Sequence, residues 1–82
     1  MYYVYILSNE GGALYIGYSS DLKRRLGEHI QDKVDTTKRL GCKKLIYYEA
    51  FISESIARER ERKLKQFGSS YQGLIKRLGL KR

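Results

Sequence analysis

The chain contains one cysteine, no proline and no tryptophan among its 82 residues. A lone cysteine, Cys42, forms neither a disulfide framework nor a cysteine-based zinc site, so we expect a small buried apolar residue in a reducing cytosol. The absence of proline, internal repeats and low-complexity linkers predicts a single domain over residues 1–82. So short a chain buries only about 60–65% of the surface that its unfolded form exposes, and its core must be small.

Long hydrophobic runs are missing as well. The N-terminal segment MYYVYILSNE has no basic region, and its apolar run is broken by Ser8, Asn9 and Glu10. No later run reaches the length that crosses a membrane. We therefore expect a soluble, unexported, cytoplasmic protein.

Acidic residues are scarce relative to basic ones, with 17 Lys and Arg against 9 Asp and Glu and a net charge of +8. On a small chain this excess favours a polyanionic partner, and nucleic acid is the commonest one. A solubilising surface without a specific ligand is the alternative that composition leaves open. An anionic membrane is disfavoured because no predicted helix combines a basic face with a bulky aromatic one.

Hydrophobic periodicity and turn residues predict six elements. The predicted strands lie at residues 2–8, 14–18 and 44–51, and the helices at 21–30, 53–67 and 69–78. Ser19 or Ser20 is expected to cap the first helix and Ser53 the second, which places Ala57, Leu64 and Phe67 on one face before Gly68 ends it. Residues 31–43 form a basic connection, with or without one helical turn. The order β-β-α-β-α-α predicts an α+β fold, a three-stranded antiparallel sheet flanked by helices.

Strand alternation separates the tyrosines from the aliphatic residues. Tyr3 and Tyr5 share one face of the first strand, and Tyr15 and Gly17 share one face of the second. One face of the sheet is therefore polar and aromatic. Gly17 either leaves space for a second backbone or a ligand to approach, or it marks a bulge.

Two polar residues fall on the buried stripe of the first helix. Leu22, Leu26 and Ile30 recur at i, i+4 and i+8, and Arg25 and His29 occupy i+3 and i+7. Few acids lie near Arg25 on that face, so its costly burial favours an external anion, above all a phosphate that matches the planar donor fork. In the alternative reading, both residues lie at the edge of the stripe and the arginine head reaches water.

With its elements in this order, the sequence resembles the GIY-YIG nuclease family over nearly its whole length. The resemblance rests on YVY at residues 3–5, YIG at 15–17, Arg25 with His29 one turn later, and AxxRExxLK at 57–65. It implies a sheet flanked by helices that cleaves phosphodiester bonds with one divalent cation, Mg²⁺ or Mn²⁺.

The resemblance also implies roles for five residues. Tyr5 and Tyr15 match the tyrosines that activate or orient the attacking water, and Arg25 matches the arginine that grips the scissile phosphate. His29 matches a residue that assists proton traffic or phosphate binding, and Glu61 matches the metal ligand. A tyrosine with a pKa near 10 is a poor base at neutral pH, so the metal or Arg25 would have to lower the pKa of one tyrosine.

Glu61 has rivals and an alternative role. A surface salt bridge to Lys65 is the structural alternative, and Glu59 lies two residues away. At 3.6 residues per turn Glu61 is rotated by about 40° from Ala57, whereas Glu59 is rotated by about 160°. Glu61 therefore borders the buried face. Glu49 in the third strand is a further carboxylate that could approach the site.

One departure from the family pattern concerns asparagine. Family members usually carry one after the glutamate helix, but the only asparagine here is Asn9, in the first turn. Gln72 or Ser70 is the available substitute. Family endonucleases generally choose their targets through attached domains, and none is recognised, so we expect low intrinsic sequence specificity unless a protein partner supplies it.

The leading prediction is a metal-dependent DNA endonuclease, with DNA repair among the roles open to it. A nucleic-acid-binding module that retains the fold without activity is the alternative, and a basic protein-interaction module is a third reading. Exposed basic residues are candidate backbone contacts, although an ordinary solvated surface also explains them. They are Lys33, Lys38, Arg39, Lys76, Arg77, Lys81 and Arg82.

Overall fold

A computed structural model describes residues 1–80 of the chain. The strands are β1 (Tyr2–Ser8), β2 (Leu14–Ser19) and β3 (Lys44–Phe51), and the helices are α1 (Leu22–Ile30), α2 (Asp35–Leu40), α3 (Glu54–Lys65) and α4 (Ser69–Arg77). The sheet order is β2-β1-β3, and both strand pairs are antiparallel. The predicted fold class is confirmed, and α2 lies inside the predicted basic connection. The candidate contacts Lys81 and Arg82 lie outside the described residues.

The two faces of the sheet are covered by different helices. Val4 and Ile6 of the central strand β1 pack against buried side chains of α3 and α4, which form the larger core cluster. Tyr5 and Leu7, on the opposite face, pack against Cys42 and the partly buried leucines of α1. Cys42 is fully buried, as expected for a small apolar residue. No helix within residues 1–80 is long and apolar enough to cross a membrane.

Gly17 provides space for a side chain of the same sheet. It pairs with Tyr5 in an uninterrupted β1–β2 register, so the predicted bulge at Gly17 is wrong. The one register shift in the sheet lies between Ile6 and Leu7, in the pairing of β1 with β3. A Cβ atom at Gly17 would lie 2.8 Å from Cε2 of Tyr5 and closer still to Cζ and Oη. The ring of Tyr5 therefore fills the space that we expected a backbone or a ligand to use.

Two predicted details of α1 are wrong. Asp21 caps the helix by accepting a hydrogen bond from the Arg24 backbone N–H at 3.1 Å, because Ser19 is engaged instead with the backbone of Asp21. Ile30 is 58% exposed because the helix ends there, and His29 takes the last buried position.

The end of α3 also differs from the prediction. The helix stops at Lys65, and Phe67 adopts a left-handed backbone with φ of 56°, which turns its side chain out of the core. Phe67 packs edge-on against the Tyr71 ring at a centroid distance of 4.8 Å. Gly68 precedes α4 as its N-cap rather than ending α3.

Candidate active site

A buried hydrogen bond joins the central strand to α1. The hydroxyl of Tyr5 lies 2.7 Å from Nε2 of His29. Tyr5 is 0% exposed and His29 is 1% exposed, so the alternative reading that placed His29 at the wet edge of the helix is wrong. Since no solvent reaches either side chain, neither touches a substrate in this conformation.

The other nitrogen of His29 is bonded to α2. Nδ1 lies 2.8 Å from Oγ1 of Thr37, which is itself fully buried. Sequence reasoning missed Thr37 because a six-residue helix shows no hydrophobic period, and a threonine within it carries no signal of burial. The hydrogen bond fixes α2 beside the tyrosine face of the sheet.

Tyr15 is the more accessible of the two predicted site tyrosines. Its ring lies edge-on to His29 at a centroid distance of 5.2 Å and 6.4 Å from the ring of Tyr5. Tyr15 is only partly buried, in contrast to Tyr5. The tyrosine that can meet water or a substrate is therefore Tyr15.

Arg25 has a protein partner that the sequence did not suggest. One guanidinium nitrogen, Nη1, donates to Oε1 of Glu28 at 2.8 Å, so the expectation that few acids lie near Arg25 on its face is wrong. The arginine holds the pKa of the Glu28 carboxyl below its usual range. A guanidinium carries five N–H donors, and the Arg25 side chain is 34% exposed, so donors remain for a phosphate.

Burial sets the protonation of Tyr5 and His29. It is the main cause that raises the pKa of Tyr5 to about 12, with Tyr15 and Glu61 adding to the rise and the Arg25 guanidinium opposing it. Burial, followed by the charge of Arg25, lowers the pKa of His29. At neutral pH Tyr5 is therefore protonated and His29 is neutral. The Arg25 guanidinium lowers the pKa of Tyr5, as expected, but burial raises that pKa by more.

Glu61 lies in the second half of α3. Its negative charge contributes to the raised pKa of Tyr5, and its side chain is 20% exposed. Nζ of Lys65 lies 2.9 Å from Oε2 of Glu61, so the predicted salt bridge is present. The low exposure of Glu61 also agrees with its predicted position at the border of the buried face. Glu59 is exposed and paired with Arg62.

Glu49 is committed to holding the sheet and α3 together. Arg60 donates two hydrogen bonds of 2.8 Å to its carboxylate, and the hydroxyl of Tyr47 donates a third at 2.6 Å. Val4 and Ile6 are the register partners of Glu49 and Tyr47, so both side chains lie on the aliphatic face, opposite Tyr5. We therefore assign Glu49 a structural role.

A metal at this site would depend on one carboxylate. Within residues 1–80, no group of three or more His, Cys, Asp or Glu side chains lies close enough to hold a metal ion. Mg²⁺ commonly keeps several waters and binds through one or two carboxylates together with substrate phosphates. Glu61, a carboxylate that is 20% exposed, fits a cation of that class when water and substrate oxygens supply the other ligands.

The remaining predicted residues lie on the surface or in a turn. Lys33, Lys38 and Arg39 are exposed in and beside α2, and Gln72 is exposed on α4. Asn9 has a structural role, because its side chain accepts from the Ala13 N–H at 2.8 Å and donates to the Leu40 carbonyl at 2.6 Å. The only asparagine is thereby used to tie the hairpin turn to the end of α2.

Known proteins resemble this chain in sequence and in structure. The family model described as the GIY-YIG catalytic domain matches residues 1–73. A UPF0213 protein of Streptococcus agalactiae serotype V is 44% identical over 66 residues, which cover 78% of this chain and 74% of the relative. A UPF0213 protein of Halobacterium salinarum is 36% identical over 67 residues, which cover 80% of this chain and 87% of the relative. The solution NMR structure of a UPF0213 protein from Bacillus halodurans superposes with a TM-score of 0.58 at 31% identity, covering 95% of this chain and 85% of that one.

Proposed function

This chain belongs to the GIY-YIG family, and from that premise we propose that it is a divalent-metal-dependent endonuclease that hydrolyses phosphodiester bonds in DNA. The family is one of nucleases, which supports the reaction class. The observation that carries the proposal is that Tyr15 and Arg25 lie beside the buried Tyr5–His29 pair, where the charge of Glu61 also acts on Tyr5. Phosphodiester hydrolysis needs an oriented nucleophile and positive charge beside the phosphoryl oxygens, and these residue types can supply both.

Arg25 is the proposed phosphate-binding residue. Glu28 holds one edge of the guanidinium, which restricts the side chain to few conformations before a substrate arrives. The remaining N–H donors match the geometry of phosphate oxygens. Because both groups are charged, such hydrogen bonds are stronger than those between neutral groups. Arg25 would bind the scissile phosphate and stabilise the charge that builds on it.

Tyr15 is the proposed contact to the attacking water, because it is the partly exposed tyrosine of the pair. Tyr5 and His29 are buried, so they would not contact the water themselves and would act as positioning residues. The Tyr5 hydroxyl, held by His29, lies beside the Arg25 guanidinium, whose charge opposes the rise in the pKa of Tyr5. The buried pair would thus orient Arg25 rather than contact DNA.

Glu61 is the proposed protein ligand of one cation, Mg²⁺ or Mn²⁺, with water and substrate oxygens completing the coordination. When bound, the cation would add positive charge beside the phosphoryl oxygens. Lys65 must then release the carboxylate, which an exposed lysine does at little cost in free energy.

The proposed substrate is DNA bound mainly through its backbone. The net charge of +8 and the exposed basic residues of the α2 region support a polyanion as partner. We propose that residues 1–82 act as one catalytic domain with low intrinsic sequence specificity, and that a protein partner supplies any further selectivity. The free buried thiol of Cys42 is compatible with the cytoplasm as the place of action.

Cleavage of DNA tests the proposal. Purified protein is incubated with supercoiled, linear and single-stranded DNA in Mg²⁺, Mn²⁺ or EDTA. We expect cleavage with either metal, none in EDTA, and a loss of about 10²–10³-fold in Arg25→Ala. The neighbouring Arg24→Ala is the matched control, since Arg24 is an exposed arginine on the same helix and should leave the rate nearly unchanged. Salt-sensitive binding without cleavage in any metal would favour the non-catalytic module instead.

A further inference from the structure

A directed chain of hydrogen bonds runs from the site into α2. Tyr5 Oη lies 2.7 Å from His29 Nε2, and His29 Nδ1 lies 2.8 Å from Thr37 Oγ1. The hydroxyl of Thr37 also bonds to the carbonyl oxygen of Val34 at 3.2 Å. Tyr5, His29 and Thr37 are each at most 1% exposed, so water does not replace any of these partners.

The carbonyl at the end of the chain favours one direction for every bond, because its 3.2 Å contact with Thr37 Oγ1 is a hydrogen bond only if Thr37 donates. A carbonyl oxygen only accepts, so the single proton of the Thr37 hydroxyl is donated to Val34. Thr37 Oγ1 must then accept from an N–H at Nδ1 of His29. A neutral imidazole carries one N–H, which leaves Nε2 as an acceptor for the hydroxyl proton of Tyr5.

We infer that Thr37 is a positioning residue that fixes His29 as the Nδ1–H tautomer and thereby turns the Tyr5 hydroxyl proton toward His29. The Tyr5 oxygen then presents its lone pairs to the neighbouring Arg25 guanidinium, an attractive contact. The reversed tautomer would donate from Nε2 to Tyr5 and free the Tyr5 proton to point at the arginine, a repulsive contact. The functional part of the inference, that Thr37 orients the phosphate-binding arginine, rests on the proposed function.

The tautomer of His29 can be measured without reference to nuclease activity. It is the only histidine of the chain, so long-range ¹H–¹⁵N correlation spectra of the imidazole contain one set of signals. We expect the wild-type protein at pH 7 to show a protonated Nδ1 and an unprotonated Nε2. A protonated Nε2 in the wild type would overturn the inference whatever the variants do.

Three substitutions then test the role of Thr37. Thr37→Val removes the acceptor with little change of shape and should convert His29 partly or wholly to the Nε2–H tautomer. Thr37→Ser restores a hydroxyl and should restore the wild-type signals. Thr36→Val is the matched control, because Thr36 is the exposed neighbour on the same helix and should change nothing. An unchanged tautomer in folded Thr37→Val would overturn the inference.

Cleavage kinetics test the consequence for Arg25. In Thr37→Val we expect kcat to fall by about tenfold, less than for removal of a catalytic hydrogen-bond donor, with KM nearly unchanged. Thr37→Ser should recover the rate. An altered tautomer with a wild-type rate would overturn the link to Arg25. Absence of cleavage by the wild-type protein would instead contradict the proposed function, while the spectra would still decide the tautomer.

Discussion

At the scale of single residues, the site depends on the absence of a side chain at Gly17. The ring of Tyr5 lies over this glycine, and its hydroxyl is held by His29. Tyr5 is fully enclosed, so the ring has no free volume into which it can swing. The space that Gly17 leaves therefore sets the position of the Tyr5 hydroxyl.

Gly17→Ala should displace Tyr5 and destabilise the fold by about 1–3 kcal/mol, the usual cost of overpacking a core. Urea unfolding measures the change. Gly27→Ala is the control, because a Cβ built at that helical position meets no atom within 4 Å apart from its chain neighbours and the backbone of its own helix. It should be neutral or stabilising by up to about 1 kcal/mol. Equal stability of Gly17→Ala and the wild type would contradict this account of Tyr5.

His29 should also govern stability between pH 5 and 7. Its pKa is lowered in the folded state, so the unfolded chain takes up a proton first as the pH falls. The free energy of unfolding should therefore decrease from pH 7 to pH 5. The ionisable groups Tyr5, Arg25 and Glu28 face His29 and keep their charge state over this interval, because the pKa values of Tyr5 and Arg25 are raised and the pKa of Glu28 is lowered.

Urea midpoints at the two pH values test this dependence in the wild type and in His29→Gln. The decrease should be clear in the wild type and largely absent in the variant, since no second histidine is present. Carboxyl groups with lowered pKa values add a smaller decrease near pH 5, where their unfolded forms begin to take up protons, and this part is common to both proteins. A wild-type stability that rises as the pH falls from 7 to 5 would contradict the burial of a neutral His29.

At the scale of elements, α3 is attached to β3 by a carboxylate–guanidinium pair. Arg60 binds Glu49 through two hydrogen bonds, and the two side chains are only 25% and 15% exposed. The Arg60–Glu49 pair therefore holds α3 in one position relative to β3. Because Arg60 directly precedes Glu61 in the chain, the pair also helps to position the proposed metal ligand.

Arg60→Leu should destabilise the protein by about 1–3 kcal/mol, because it leaves a partly buried carboxylate without its partner. Arg62→Leu on the same helix removes an exposed pair with Glu59 and should cost less than about 1 kcal/mol. Thermal or urea unfolding compares the two variants. Equal destabilisation would mean that the Arg60 pair has no special part in holding α3.

The elements that the sequence predicted well are those with a strong period or a defined turn. The hairpin, β3 and the inward orientation of His29 follow from alternation and helical spacing. Thr37 and Glu28 were missed because their roles depend on partners that approach only in the folded chain. Phe67 was misplaced because its left-handed backbone is unusual for an aromatic residue and has no signature in sequence.

At the scale of the whole molecule, the excess of positive charge should make DNA binding depend steeply on salt. Each phosphate that a basic side chain neutralises adds about 0.9 to the slope of log K against log salt concentration for duplex DNA. α2 is hydrogen-bonded to His29 through Thr37, and we predict that its exposed cations Lys38 and Arg39 contact the DNA backbone.

Replacement of Lys38 and Arg39 by glutamine should make the salt dependence less steep. The magnitude of the slope should decrease by about 0.9 for each phosphate that is no longer neutralised. A matched double variant, Arg62→Gln with Lys63→Gln, removes the same charge from exposed positions of α3. Fluorescence anisotropy with a labelled duplex over a range of salt concentrations measures both. Equal changes of slope in the two variants would contradict a DNA path along α2.

The most direct test of the central claim is the rate of metal-dependent DNA cleavage by Glu61→Gln compared with Glu59→Gln. Both substitutions remove one carboxylate from α3, but Glu61 is the one whose charge acts on Tyr5, whereas Glu59 is exposed and paired with Arg62. We predict that Glu61→Gln cleaves about 10²-fold or more slowly with Mg²⁺ and Mn²⁺ alike, whereas Glu59→Gln cleaves like the wild type. Wild-type cleavage by folded Glu61→Gln would contradict the assignment of the metal ligand and, with it, the proposed site.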